Sequence, residues 1–254
     1  MRTIAILNQK GGSGKTTTAV NLAAALGEQK QRVLVLDLDP AAAASSWFGA
    51  QDQTRGLLEV LTEGKNLYDL VKETGFPGID LIPSSLALSS AEKALTREIG
   101  PETLLKRKIA KLPSDRWDYL LLDCPPSLGL LTLNALSAAQ EVLIPVEAHV
   151  MALSGLVSLL QTVEVVKERL NPDLSVCGIL ACRVDHRTNH SKDVVDSLSE
   201  KFGPLLYKTK IRENVRLAEC PSFGKPITAY APSSSGTEDY HSLAKELLGQ
   251  EKRN

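Results

Sequence analysis

Lys10-Gly11-Gly12-Ser13-Gly14-Lys15-Thr16-Thr17 carries the residue types that hold a polyphosphate, at the spacing that lets them act together. Glycines at 11, 12 and 14 let backbone N–H groups approach phosphate oxygens without a Cβ in the way. A helix that follows directs its positive dipole end at the same anion. Lys15 can reach the β- and γ-phosphates, the Thr16 hydroxyl can ligate Mg²⁺, and Ser13 and Thr17 complete the cradle. The loop is a variant of Gly-x4-Gly-Lys-[Ser/Thr]: Gln9 stands where the first glycine belongs, and a second lysine, Lys10, leads the run. A dinucleotide loop fits less well. Gly12-x-Gly14 is followed by Thr17 where a third glycine would stand, and Lys15-Thr16 suits a triphosphate with a metal better than a bare pyrophosphate. A mere Gly/Ser turn with a solvated lysine is disfavoured by the flanks, an apolar run at 3–8 and an alanine-rich helical pattern at 17–26.

Carboxylates follow two further apolar runs. Asp37-Leu38-Asp39-Pro40 ends one, and Asp123, followed by Cys124-Pro125-Pro126, ends the other. Ligands of parallel sheets sit beyond the carboxyl ends of the strands, so all three aspartates are placed to meet the loop. Asp123 matches the acidic residue that holds Mg²⁺, often through water, in nucleotide hydrolases. Asp39 can orient an attacking water, and Asp37 can support the metal shell. Aspartates also stop strands and cap helices. Their company favours a site for Asp39 and Asp123 and leaves Asp37 open.

These residues need a frame. Short apolar runs at 3–8, 32–38, 79–83, 118–123, 141–146, 176–183 and 205–209 read as strands. Helical patterns lie at 15–27, 55–62, 66–73, 86–95, 102–111, 129–138, 153–169, 191–202 and 237–248. Several strands are apolar on both faces. The expected fold is therefore α/β, a mainly parallel twisted sheet with helices on both faces, of the P-loop NTPase type. With no repeat and no convincing linker, residues 1–254 are expected to form a single domain. Aromatics are only 4%, so the core is built from Leu, Val, Ile and Ala. A net charge of −1 gives no global pull toward nucleic acid or membrane, so any such binding needs a local patch. The four cysteines, Cys124, Cys177, Cys182 and Cys220, show no metal spacing and read as buried and reduced. No signal peptide or bilayer-spanning run is expected.

The loop with its leading lysine, Asp37-x-Asp39-Pro40, and Asp123-Cys-Pro-Pro-Ser-Leu-Gly-Leu-Leu-Thr-Leu-Asn-Ala-Leu136 together resemble the ParA/Soj family of deviant Walker A partition ATPases. The resemblance runs on through Arg187-Thr188-Asn189, Asn214-Val215-Arg216-Leu217-Ala218-Glu219, Pro221 to Pro226 and Gly236-x-Glu238-x-Tyr240. It implies ATP hydrolysis with Mg²⁺, an ATP-dependent homodimer, non-specific binding of duplex DNA and a ParB-like stimulating protein. It also implies a cytoplasmic, nucleoid-associated life. Lys10 would cross the dimer interface to the partner's nucleotide and steady the charge of the transferring phosphoryl group, a lysine's version of an arginine finger. Lys10, Lys15 and Asp39 would be catalytic, Thr16 and Asp123 would serve Mg²⁺, and Asn214 would join the nucleotide site. Two departures stand out. Ala41-Ala42-Ala43-Ala44 replaces the usual Gln-Gly-Asn after Asp-Pro, which makes a helical segment and altered hydrolysis expected. Ile211-Arg212-Glu213-Asn214 replaces Ile-Pro-Arg-Asn, which leaves open the details of base contact and one DNA-contacting arginine that the resemblance would imply.

Relatives with other tasks fit less well. The tail Leu247–Asn254 has no extended apolar face for a membrane, as MinD-like proteins have. No cysteine pair suits an iron–sulfur bridge, and the chain opens on its first strand, with no room expected for a separate N-terminal DNA-binding region. From Arg183 to Lys225, nine Lys/Arg face six Asp/Glu, a local excess of three. A modest basic face suits weak, salt-sensitive contact with DNA phosphates. Arg187 and Arg216 lead the candidates, with Lys192, Lys208 and Lys210 behind them. His186 and His190 lack a third ligand and read as part of the same surface loop. Two alternatives stay open: a related ATPase that positions a protein cargo on the nucleoid, and a hydrolysis-poor, nucleotide-dependent interaction switch.

Overall fold

Side chains alternate across each strand, and here both faces of the alternation are apolar. In β2 (Val33–Asp37), Val33 and Val35 face one helical layer while Leu34 and Leu36 face the other. The computed structural model describes residues 1–50, 56–149, 152–185 and 187–251. Among them, β1 (Arg2–Ile6), β2, β3 (Lys72–Glu73), β4 (Ile79–Ile82), β5 (Tyr119–Asp123), β6 (Glu141–Glu147) and β7 (Ser175–Cys182) form a sheet in the order β3-β4-β2-β5-β1-β6-β7. Every pairing is parallel except that of β3 with β4. This is the doubly covered, mainly parallel sheet expected from the sequence.

One layer of helices comprises α1 (Lys15–Glu28), α2 (Ala43–Trp47), α9 (Val215–Phe223), α10 (Ile227–Tyr230) and α11 (Ser235–Glu251). The opposite layer holds α3 (Gly56–Thr62), α4 (Ala91–Leu95), α5 (Leu104–Ile109), α6 (Leu130–Ala138), α7 (Ala152–Arg169) and α8 (Asn189–Phe202). Each fully buried Leu, Ile or Val contributes about 1.5–3 kcal/mol, so the two apolar layers on one sheet supply most of the drive to fold. Helix α1 is apolar or small on nearly every side and is buried along most of its length. Its Gly27 has no room for a side chain, since a Cβ would lie 2.3 Å from the Pro77 carbonyl oxygen.

Strand register sets the functional level. Asp123 pairs with Ile6 on one side and with Asp37 on the other. The last residues of β1, β2 and β5 thus lie side by side, where the loop after β1 begins.

The structure corrects several sequence expectations. Residues 205–209 are not a strand. The segment touches β7 at an isolated bridge between Ile179 and Leu206, and the Glu246 carboxylate accepts the backbone N–H groups of Lys208 and Thr209 at 2.8 and 2.9 Å. The Tyr207 N–H does donate to the Ile179 carbonyl, but a side chain of α11 takes the Thr209 N–H, the next donor that a ladder with β7 would have used. Residues 66–73 are not one helix either: a 3-10 turn at Leu67–Leu70, capped by Asn66, leads into β3, and the turn with Gly75, Pro77 and Gly78 folds β3 back on β4. The patterns at 86–95 and 102–111 each split into a 3-10 turn and a short helix. The alanine segment is helical only from Ala43. Helices α9 and α10 were not expected. Residue 55, at the start of the pattern at 55–62, His186 and the tail residues 252–254 lie outside the described residues.

Candidate functional site

Asn8 ties down the start of the loop. Its side-chain N–H donates to the Pro145 carbonyl (2.6 Å), and its Oδ1 accepts the Lys10 N–H (3.0 Å). The loop ends at Gly14, the N-cap of α1, with φ 96°. That left-handed backbone favours glycine, and no side chain caps the helix, so its first N–H groups remain for an anion. Gly11, Gly12 and Ser13 form the bend between, with Gly12 also left-handed. The buried Ser13 hydroxyl has no hydrogen-bond partner.

Lys15 is buried, with Nζ 3.4 Å from the Lys10 carbonyl oxygen. Burial lowers its pKa, against the pull of Asp123 and Asp39. Asp123 has no exposed surface, and neither carboxylate oxygen has a hydrogen-bond partner. Burial first, then the charge of Asp37, pushes its carboxyl well above the usual range, while nearby Thr16 and Lys15 oppose the shift. An unpaired buried carboxylate is unfavourable by several kcal/mol. A cation brought to this point would relieve it, and Thr16, the next residue after Lys15, supplies a hydroxyl beside it. Among the described residues no three His, Cys, Asp or Glu side chains gather to hold a bare metal ion. One carboxylate and one hydroxyl are two oxygen donors, a set that suits a hard divalent ion whose other positions are filled by further oxygens.

Asp37 is also fully buried, but its oxygens are occupied. Oδ1 accepts from the Asp39 N–H (3.1 Å), and Oδ2 accepts from the Ser45 N–H (2.9 Å) and hydroxyl (2.7 Å). Burial outweighs these bonds and raises its pKa to about 6. Asp39 is half-buried; its Oδ1 accepts the Ala41 N–H at 2.9 Å and its carbonyl accepts the Ala42 N–H at 2.8 Å.

Lys10 lies at the rim, with Nζ 2.6 Å from Glu147 Oε2. Glu147 also meets Arg183 at 3.2 Å, and the Lys10 hydrogen bond, first among several causes, lowers its pKa. A cleft of about 890 Å³ opens beside the loop, with Gly12, Gly14, Thr17, Asp185, Asn214 and Tyr240 among its lining residues. Asn214 caps α9 by accepting the Arg216 N–H (2.8 Å) and donates to Ser235 Oγ (2.8 Å). Arg212, which replaces the expected proline, donates its backbone N–H to Asp239 at 2.9 Å, a bond proline cannot make; its guanidinium pairs with Asp239 and Glu238.

The five candidate DNA cations do not form one cluster. Arg187 borders the cleft and pairs with Asp185 (2.9 Å); Arg216 pairs with Glu219 (3.0 Å). Lys192 is exposed in the first turn of α8. Lys208 and Lys210 line a separate groove of about 660 Å³ beside Glu246.

Comparison with known proteins fits this geometry. A family described as an AAA domain matches residues 1–176. The Bacillus subtilis (strain 168) protein named sporulation initiation inhibitor protein Soj is 45% identical over 246 residues, which are 96% of this chain and 97% of that one. The chromosome partitioning protein ParA of Myxococcus xanthus is 43% identical over 249 residues, 97% of this chain and 88% of that one. The chain belongs to the ParA/Soj family. A solved structure titled cobyrinic acid a,c-diamide synthase from Mycobacterium smegmatis, with bound ADP and magnesium, superposes with a TM-score of 0.86 at 34% identity, covering 99% of this chain and 96% of that one. It shares the P-loop NTPase architecture of this ParA/Soj chain.

Residue typing missed Asn8, Ser45, Glu147 and Arg183. Glu147 carried a usable signal, an acidic residue at a strand's carboxyl end, but the expected strand stopped one residue short of it. Ser45 carried none beside four alanines.

Proposed function

We propose that this chain is an ATP-hydrolysing ParA/Soj-like partition protein that acts on a chromosome or plasmid. The observation that carries the reading is Asp123: a buried carboxylate without a partner, level with the start of a loop that presents Lys15, Thr16 and an uncapped helix N-terminus. Gly11 to Gly14 would wrap the phosphates, Lys15 and Thr17 would bind them, and Asn214 and the wall around it would face the rest of the nucleotide. Thr16 and Asp123 would hold Mg²⁺, with Asp37 behind them through the turn it bonds. The ion would neutralise phosphate charge as the bond to the leaving group breaks. Asp39 would orient the water, because it sits at the rim of the same strand ends with one carboxylate oxygen engaged by the local turn. Lys10 would leave Glu147 and reach the nucleotide of a second copy, which couples ATP to dimer formation.

The family names support the rest of the reading. Soj and ParA are relatives that match this chain nearly end to end. The ATP-bound dimer would bind duplex DNA without sequence preference through Arg187, Arg216 and neighbouring lysines, and a ParB-like protein would speed its turnover. No described helix is long and apolar enough to cross a membrane. A cytoplasmic place on the nucleoid follows from the DNA role.

Turnover of Mg²⁺-ATP by the full chain, with and without duplex DNA, tests this directly. Lys15→Ala should abolish ATP binding, because it removes the cation that meets ground-state phosphate charge. Asp39→Ala should leave ATP affinity within about threefold and lower kcat by roughly 100-fold, as removal of a group that acts in the transition state does. A wild-type chain that binds ATP and never hydrolyses it would favour an interaction switch instead.

A further inference from the structure

The segment after Asp39 supplies no side chain to cap its own helix. Ala41 to Ala44 are all alanine, yet α2 begins at Ala43 with Ala42 as N-cap at φ 52°. A left-handed alanine is unfavourable by roughly 1–2 kcal/mol. Contacts from outside the segment must hold this turn. Asp37 provides two of them through Oδ2, which accepts both the N–H and the hydroxyl of Ser45, and a third through Oδ1, which accepts the N–H of Asp39. A carboxylate that accepts a first-turn N–H does the work of an N-cap.

Ser45 extends the contact to a second strand. While its hydroxyl donates to Asp37, its oxygen accepts the Ser84 N–H at 2.8 Å, just beyond the end of β4. One fully buried hydroxyl thus joins the ends of β2 and β4 to the turn between Asp39 and α2. Two residues on, the Trp47 indole N–H donates to the Lys225 carbonyl at 2.9 Å, which anchors the other end of α2 beyond α9.

We propose that Ser45 is a positioning residue for ATP hydrolysis: its hydroxyl locks Asp37, and through Asp37 the backbone that aims Asp39. The inference rests on the ATPase reading above. Without the hydroxyl, Asp37 loses one donor and the Ser84 N–H loses its acceptor. The turn that carries Asp39 is then held by fewer bonds and samples orientations that do not align the water. None of these bonds involves Lys15 or the loop glycines, so nucleotide affinity does not depend on them.

The test uses the full chain with Mg²⁺-ATP and three readouts: turnover, equilibrium ATP affinity, and hydrogen exchange in the segment 38–48. In Ser45→Ala, turnover should fall by about tenfold, the effect of losing one buried hydrogen bond in the productive arrangement. Its ATP affinity should stay within about twofold, a split expected of a residue that acts only after binding. Exchange in 38–48 should quicken. Ser45→Thr keeps the hydroxyl but adds a methyl at a fully buried site, so it should turn over faster than Ser45→Ala and recover part of the protection. Wild-type turnover in Ser45→Ala, a loss of ATP affinity in step with turnover, unchanged exchange, or a threonine variant as slow as alanine would each overturn the proposal. A wild-type chain without turnover would instead defeat the ATPase reading, and the catalytic half of this proposal with it. The exchange data would then still decide whether Ser45 holds the turn.

Discussion

Lys10 and Glu147 form an ion pair 2.6 Å long within one chain, yet the role proposed for Lys10 lies in another. The pair is half-exposed on the lysine side, and such pairs contribute about 0–1 kcal/mol. It can hold Lys10 aside without obstructing its release. Glu147→Gln should therefore favour the ATP-bound dimer by no more than about fivefold, because the pair it removes is weak. Lys10→Ala should fold and bind ATP as a monomer but fail to dimerise. Light scattering with a non-hydrolysable ATP analogue measures both, and an unchanged dimer with full turnover in Lys10→Ala would rule out the trans role. At this scale the sequence was informative wherever chemistry sits in consecutive residues. Lys10 to Thr17, Asp39 and Asp123 declare themselves by type and by their place after apolar runs. Ser45 does not, because its meaning lies in Asp37, eight residues away, and Ser84, 39 residues away.

Strand ends and helix ends decide how the elements respond to solvent. Asp37 and Asp123 lie opposite each other on β2 and β5, and both carboxyls titrate above the unfolded value of 3.8. For Asp37 the folded chain therefore holds a proton between about pH 4 and 6 that the unfolded chain has released, and for Asp123 the same holds above pH 4, so their contribution to stability is complete below about pH 4 and is lost as pH rises. Thermal melts of the nucleotide-free protein at pH 5, 6 and 7 should show this fall. Asp123→Asn, with no proton to lose, should flatten it, and an unchanged slope would refute the assignment. Glu246 controls another junction. Its two bonds to the backbone of 208–209 are worth about 1–3 kcal/mol together, allowing for partial exposure. Glu246→Ala should lower the urea midpoint accordingly. The apolar run at 205–209 looks like a strand because nothing local reveals that a residue of α11 competes for its donors.

For the molecule as a whole, the sequence revealed the layered plan because doubly apolar strands have few other ways to be buried. It did not reveal α9 and α10; α10, for one, owes its place to a tertiary bond in which the Ile227 N–H donates to Asn21 Oδ1. The basic excess also looks different in three dimensions. Arg187 and Arg216 each carry their own carboxylate, so DNA bound as proposed would have to compete for them. Binding should be weak and steeply salt-dependent, and Arg187→Glu or Arg216→Glu should weaken all duplex sequences alike and lower the salt slope by about one per lost phosphate contact. Glu219→Gln, which frees Arg216, should tighten binding. Anisotropy titrations at two salt concentrations report all three, and salt-independent binding would exclude a phosphate-led contact. Both margins of the sheet are closed as well. β3 ends one side after two exposed, charged residues, and the segment after Leu205 covers β7 on the other. Among the described residues neither margin presents a long, bare strand edge that would favour addition of a strand by another copy. In the proposed dimer the copies would meet at the face at the carboxyl ends of the strands, where Lys10 lies, and a two-fold contact through one face closes on itself. Copies crowded along a DNA track would remain discrete pairs instead of growing into fibres.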